Sequence, residues 1–452
     1  MLKCLKYINF NELFWAKMVK KFKGFEDLEI TDLLIAYRKA KADIFWEKNI
    51  SAVERFINFE INFESNINDL FEVLKKADVE KIVSYCIDNE FYINYPKSID
   101  FECNDEESKD FYSISSPAKE FERKLKDCEI TISSRIVGNF TVQAHILSAL
   151  WINFIGHKYD EKLSKNSYGS RLNRLNLENG CCTNESKYNL EKNTSFQPYF
   201  IPYKEWQSTG LNAVEKALEA KKNVMVFSLD LKSYYHNIDV EIINNDDFNK
   251  DVGVELDENE KLFNSIICTL ISSWGDGVAK SYKSKFDFDL KAGLPIGLTC
   301  SKIISNIILK ILDDKIEGNL KPISYGRYVD DIFIVISNKS FLNKNDFLSF
   351  FSRKIGIDNI NDFIRDISLF LKDEQKCSEE NNQDVKQSVQ VEQSIAVEQE
   401  DDSEYNVYRT WWGKTFAIFV VVWLISMLTS HDWGTKDFSR KYSLRYSVSY
   451  SE

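Results

Sequence analysis

Along the first hundred residues, apolar positions return every three to four residues. In "ITDLLIAYRKAKADIFWEKN" and "NINDLFEVLKKADVEKIVSYCIDN" they alternate with Lys and Glu, and neither Gly nor Pro interrupts them. That spacing predicts amphipathic helices, so residues 1–105 are expected to form a helical N-terminal region. Dense strand signals come later. "NVMVFSLDL" at 223–231 and "YGRYVDDIFIVIS" at 325–337 are rich in β-branched and aromatic residues, and helical stretches separate them. The pattern predicts a mixed α/β core.

The chain changes character after residue 371. From Lys372 to Glu404 eleven Asp and Glu face three Lys, with no aromatic residue and no sustained apolar period. This reads as a solvated acidic linker. It carries −8 of the chain's net −12, so the acidic total does not exclude nucleic acid as a partner of the rest. Beyond it, Thr415 to Ser430 is an uncharged run of sixteen residues, extended to about twenty from Trp411 if Lys414 snorkels, and Trp411, Trp412 and Trp433 flank it. A transmembrane or membrane-inserted helix over 411–430 is expected. Its orientation stays open. Lys436, Arg440, Lys441 and Arg445 favour a cytoplasmic C-terminus, whereas a nucleotide-using domain must also be cytoplasmic.

Forty-four per cent hydrophobic and 28% charged residues over 452 positions is ordinary globular composition. Nine cysteines, Cys181 and Cys182 adjacent among them, show no CxxC spacing, and only four histidines accompany them. Reduced thiols are expected rather than a zinc site. The N-terminal residues mix Lys, Asn and Glu into their apolar positions, unlike a secretory signal. The main domain is expected in the cytoplasm.

The candidate chemistry lies where the strand signals contain acids. Asp230 ends the apolar run 223–231, and Asp330 and Asp331 sit in the middle of the second run. Two adjacent like charges in a buried hairpin cost several kcal/mol unless a cation neutralises them. The flanking apolar residues are expected to pair as antiparallel strands, with Val329, Asp330 and Asp331 as the tight connection. Were this hairpin to lie beside the Asp230 strand, the carboxylates would converge as hard oxygen ligands for Mg²⁺. Two ions about 4 Å apart would stabilise the attacking and leaving oxygens of a phosphoryl transfer. A third segment, "GLPIGLTCSKIISNIIL" at 293–309, opens on a glycine-flexed turn and runs into a helix bearing Ser301, Ser305 and Asn306. Such a turn lets backbone approach a base pair closely.

In this order, Asp230 with an aromatic at Tyr235, then "GLP.G...S...SN", then "YVDD" at 328–331, the set resembles the palm domain of reverse transcriptases. Upstream, "TVQAHILSALWINFIGHKYDEKLSKNSYGSRLNR" is similar to the fingers segment of bacterial members. The resemblance covers roughly residues 130–340. It implies an α/β right-hand fold with fingers 106–222, palm 223–340 and thumb-like helices 341–371, set between the helical N-terminal region 1–105 and the acidic linker 372–404 with its C-terminal segment 405–452, which the residue patterns give. It implies RNA-directed DNA polymerase activity with Asp230, Asp330 and Asp331 as catalytic and metal residues and two Mg²⁺ ions, for which Mn²⁺ can substitute. Tyr235 would be a steric gate against the ribose 2′-OH. Arg171, Gln143, Gly293, Pro295, Gly297 and Tyr328 would contact nucleotide or template. Partners would be an RNA template or DNA product, deoxynucleoside triphosphates, a membrane, and a second defence protein or a homo-oligomer.

Two departures stand out: Ile296 replaces the family's usual Gln, and Lys302 its frequent Pro after the motif serine. No basic motif stands at the usual triphosphate-contact position. The helical extension, "SYGSRL", short thumb and C-terminal appendage look most like the abortive-infection, antiphage reverse transcriptases. Retron or intron-type enzymes and a catalytically silent, nucleic-acid-binding membrane effector are the alternatives.

Overall fold

The computed structural model describes residues 20–371 apart from 48, 89, 103–115, 176–186, 288, 338–340, 342–343 and 358–363. The chain divides into two units, Met1–Glu374 and Gln375–Glu452, and every described residue belongs to the first. The acidic stretch 372–404, the apolar segment 411–430, and Cys181 and Cys182 lie outside the described residues. Among the described residues no helix is long and apolar enough to cross a membrane.

Helical periodicity does build the N-terminal layer: α1 (Ile30–Glu47), α2 (Ile50–Ile61), α3 (Phe63–Lys75) and α4 (Val79–Cys86). Asn49 caps α2 and Asp78 caps α4, each side chain accepting a hydrogen bond from an otherwise orphaned backbone N–H. Leu33, Ala36, Ala40 and Ile44 form the buried stripe of α1. The helical region stops earlier than 105. Residues Tyr92–Glu102 form strand β1, which pairs antiparallel with β2 (Glu129–Gly138), and α5 (Pro117–Asp127) stands between them. Pro96 sits at the register shift of β1. A proline that breaks the alternation, with the pairing strand some thirty residues away, hides a strand from a local reading. Cys86, Cys268 and Cys300 are free and buried. Cys128, expected as a reduced thiol, is disulfide-bonded; a spacing rule for metal sites carries no information on a pairing made by the fold.

Next comes a nearly all-buried helix, α6 (Val142–Trp151), which continues through a π-helical turn at Ile152–Gly156 into α7 (His157–Lys162). A helix apolar on all sides is a core helix, and α1 packs along it. Then follow α8 (Phe200–Glu219), β3 (Val224–Leu231), α9 (Tyr234–Asn237), α10 (Asp246–Val252), the long α11 (Glu258–Phe286), α12 (Thr299–Ile308) and α13 (Lys310–Lys315). A hairpin of β4 (Ser324–Tyr328) and β5 (Asp331–Ser337) precedes α14 (Lys344–Ile355) and β6 (Ile364–Leu371).

The expected mixed α/β core is present as an antiparallel sheet in the order β4-β5-β3-β6. Its fourth strand lies in the stretch expected to be thumb-like helices. "IRDISLFL" is a short apolar run whose period fits either element, and its pairing with β3 decides the matter. Successive residues of β3 serve opposite faces. Phe227 stacks on Phe347 of α14 at 3.4 Å between centroids. On the other face Ser228 lies opposite Phe333 and Asp230 opposite Asp331, and Phe333 meets Trp206 of α8 edge-on at 6.5 Å. The carboxylates therefore emerge at the rim of the face that α8 covers.

Candidate active site

β3 carries its acid to the sheet edge because the strand ends there: Val224 to Leu231 is buried almost throughout, and Ser233 then turns the chain in the left-handed region at φ 46°. Asp230 is 7% exposed. Its register partner is Asp331, the first residue of β5. Asp330 is drawn to the same point by its backbone carbonyl, which accepts from Leu231 N at 3.4 Å. The hairpin does lie beside the Asp230 strand, the condition on which the sequence reading made the carboxylates converge. One detail differs: the connection is Val329 and Asp330 alone, and Asp331 already belongs to the strand.

Val329 has φ 57°, which strains a β-branched residue by about 1–3 kcal/mol. The surroundings impose it. Arg327 Nη1 donates to Val329 O at 2.8 Å, and Gly169 packs so close that a Cβ there would come within 2.6 Å of Val329 N. Arg327 is fully buried. Its Nε and Nη2 each reach an Asp313 oxygen at 2.8 Å, Nη1 reaches Asn306 Oδ1 at 2.9 Å, and Nη2 reaches Ser167 Oγ at 3.1 Å. Burial opposes the charge, but the fully buried Asp313 carboxylate beside it holds the guanidinium above its usual pKa. Asn306 Nδ2 also donates to Gly169 O at 2.7 Å, so one network joins the "SYG" loop, α12, α13 and the acidic turn. Sequence reasoning missed Arg327, Asp313 and the role of Asn306. The available signal was a charged residue at an inward position of a strand whose neighbours are apolar.

Tyr235 stands half-buried on α9, five residues after Asp230. Ser305 Oγ meets its hydroxyl at 3.1 Å, and burial raises that hydroxyl's pKa. Gly293 adopts φ +56°, and a Cβ there would overlap the backbone of Tyr235 and His236; Leu294 N donates to Tyr235 O at 2.8 Å. The sequence reading gave this freedom to the approach of a base pair. In the fold it lets the loop seat against the back of the tyrosine. Pro295 is buried, Ile296 O accepts from Gly138 N at 2.8 Å, and Gly297 lies against Val137. These residues join the palm-like loop to β2.

Tyr328 donates to Tyr199 O at 3.2 Å and meets the Tyr203 ring edge-on at 5.1 Å. Burial pushes its hydroxyl up to about 12. Two further residues expected to contact nucleotide or template have neighbours within the chain. Arg171 binds Asp160 through Nε at 2.9 Å and the carbonyls of Ser164, Ser167 and Asp160 through Nη1 and Nη2. It clamps its own loop, because a buried carboxylate and three inward carbonyls claim a guanidinium before solvent does. Gln143, in the first turn of α6, lies beside the Tyr85 hydroxyl of α4.

Asp230, Asp330 and Asp331 offer the oxygen donors that a hard divalent ion prefers. Among the described residues no three of His, Cys, Asp and Glu are gathered closely enough to hold a metal unaided.

A family model described as reverse transcriptase (RNA-dependent DNA polymerase) matches residues 126–380, more than half of the 452-residue chain. No curated protein matches it. The matched stretch contains β2, the sheet, the acidic turn and the Gly293 loop. Enzymes of this family act on a nucleic-acid template and deoxynucleoside triphosphates with divalent metal ions. The chain belongs to the reverse transcriptases and is an RNA-directed DNA polymerase, a nucleotidyltransferase.

Proposed function

We propose that Asp230 and Asp330 are the metal-holding catalytic carboxylates, with Asp331 completing the acidic cluster. The observation that carries this reading is the pairing of β3 with β5, which sets Asp230 opposite Asp331 while Leu231 N holds the Asp330 carbonyl. Two Mg²⁺ ions, when bound, would lower the pKa of the attacking 3′-hydroxyl and neutralise charge on the departing pyrophosphate. The chain's own contribution is placement. The Arg327 network fixes the turn, and Ser305 with the Gly293 loop fixes Tyr235. Tyr235 is the sugar gate: its ring excludes a 2′-OH, so deoxynucleotides are the substrates. Tyr235→Ala should raise ribonucleotide use relative to deoxynucleotide use by about tenfold or more, the scale of a lost steric contact. Single-nucleotide incorporation with each triphosphate, started by Mg²⁺ and stopped by chelator, measures it. Unchanged discrimination would assign the gate to another residue.

We infer further that the enzyme serves antiphage defence from a membrane. Support comes from the resemblance of "SYGSRL" and the appended C-terminal segment to the abortive-infection group, and from the uncharged run over 411–430 with its flanking tryptophans. The catalytic domain would be cytoplasmic, and the acidic linker would let it swing clear of an anionic surface that repels it. Cutting after Glu404 should move the protein from the membrane to the soluble fraction, preserve polymerisation and weaken protection against phage. Full-length protein found soluble without detergent would end the membrane reading.

A further inference from the structure

Lys302 lies one helical turn before Ser305, on the same face of α12 as the residue that holds the Tyr235 hydroxyl. Its side chain is 31% exposed, and its ammonium is bonded to the Glu47 carboxylate at the end of α1. The ammonium sits 4.9 Å from the centroid of the Phe196 ring. Its charge opposes the burial that raises the hydroxyl pKa of both Tyr235 and Tyr328. Asp43, one turn earlier on α1, accepts from Ser195 N at 2.9 Å and adds a second negative charge near Lys302. Burial disfavours the ammonium, and Glu47 more than offsets this, so its pKa is raised.

Arg327 and Arg171 face inward. Arg327 is enclosed by Asp313 and Asn306, and Arg171 by Asp160 and loop carbonyls. Lys302 differs in being partly open to solvent; its partner is a carboxylate, whose oxygen is the nearest side-chain analogue of a phosphate oxygen. Substrate for this site carries phosphate on both the strand and the incoming nucleotide. We propose that Lys302 is a phosphate contact of the active cleft, and that Glu47 occupies its ammonium until a phosphate oxygen takes its place. The N-terminal layer thereby competes with substrate for one cation, and Glu47 sets how tightly the cleft binds. The inference rests on the polymerase reading of the same site.

The test measures binding alone, so it does not depend on turnover and its failure leaves the assignment of Asp230 and Asp330 untouched. Full-length protein is titrated against a fluorescent single-stranded oligonucleotide at several salt concentrations, and separately against a fluorescent dATP analogue with Mg²⁺. Lys302→Met should weaken one arm about tenfold, the scale of one charge-assisted hydrogen bond. Glu47→Gln should tighten the same arm. If the strand arm responds, Lys302→Met also lowers the salt slope by about one unit and the phosphate is a backbone one. If the dATP arm responds, it is the triphosphate. The exchanged pair Lys302→Glu/Glu47→Lys restores the ion pair, so it should recover the melting temperature of the single variants without recovering affinity. The proposal is overturned if Lys302→Met lowers the melting temperature while both arms stay at wild-type affinity, if Glu47→Gln tightens neither, or if the exchanged pair regains full affinity.

Discussion

Asp330→Ala should reduce nucleotide incorporation by about a thousandfold or more, equivalent to about 4 kcal/mol of transition-state stabilisation. Asp230→Ala should do the same. Both acids sit where β3 and the turn meet, and each would supply an oxygen ligand that no neighbour can replace. Asp331→Asn should be milder, because its carboxylate completes the cluster rather than anchoring it. Melting temperature is the control. Removing one charge from a set of like charges relieves repulsion in the metal-free protein, so the Asp330 variant should melt no lower than wild type. Incorporation at wild-type rate in Asp330→Ala would refute the assignment.

Arg327→Ala has the largest expected effect on the fold. It leaves Asp313, which is fully buried, without its cation, and stranding a buried charge costs about 3–5 kcal/mol. It also frees the Val329 carbonyl and so the strained turn that presents Asp330. Loss of activity alone would not separate these effects. In Arg327→Met/Asp313→Leu both buried charges go together, and apolar replacement of a complete pair is often neutral or stabilising. That variant should regain most of the melting temperature and stay impaired in incorporation, since nothing then holds Val329 O. Full recovery of both would mean that the arginine serves stability only.

Much of this centre is legible locally. The β3 and β5 runs are dense in β-branched and aromatic residues, so a strand is the only element that suits them. Acids at the end of one run and in the centre of the other are exceptions costly enough to signal a cation site. The order of Asp230, the Gly293 loop and Asp330 then narrows the chemistry to one family. The helical layer is legible for the same reason, since caps such as Asp78 and stripes such as Leu33, Ala36 and Ala40 act within one or two turns.

What the sequence determined by itself, then, was the existence of the sheet, its acids and the α/β class, each set by neighbours a few residues apart. The tertiary structure decided whatever depends on partners far along the chain. β6 became a strand through pairing with β3, and β1 did so through β2 across a proline that locally argues against it. Arg171 is held to its own loop because Asp160 is folded against it. The Arg327 cluster gathers Ser167 from 160 positions away, and Lys302 finds Glu47 across 255. A buried charge takes whichever partner the fold delivers within hydrogen-bond distance, and no periodicity along the chain encodes that distance.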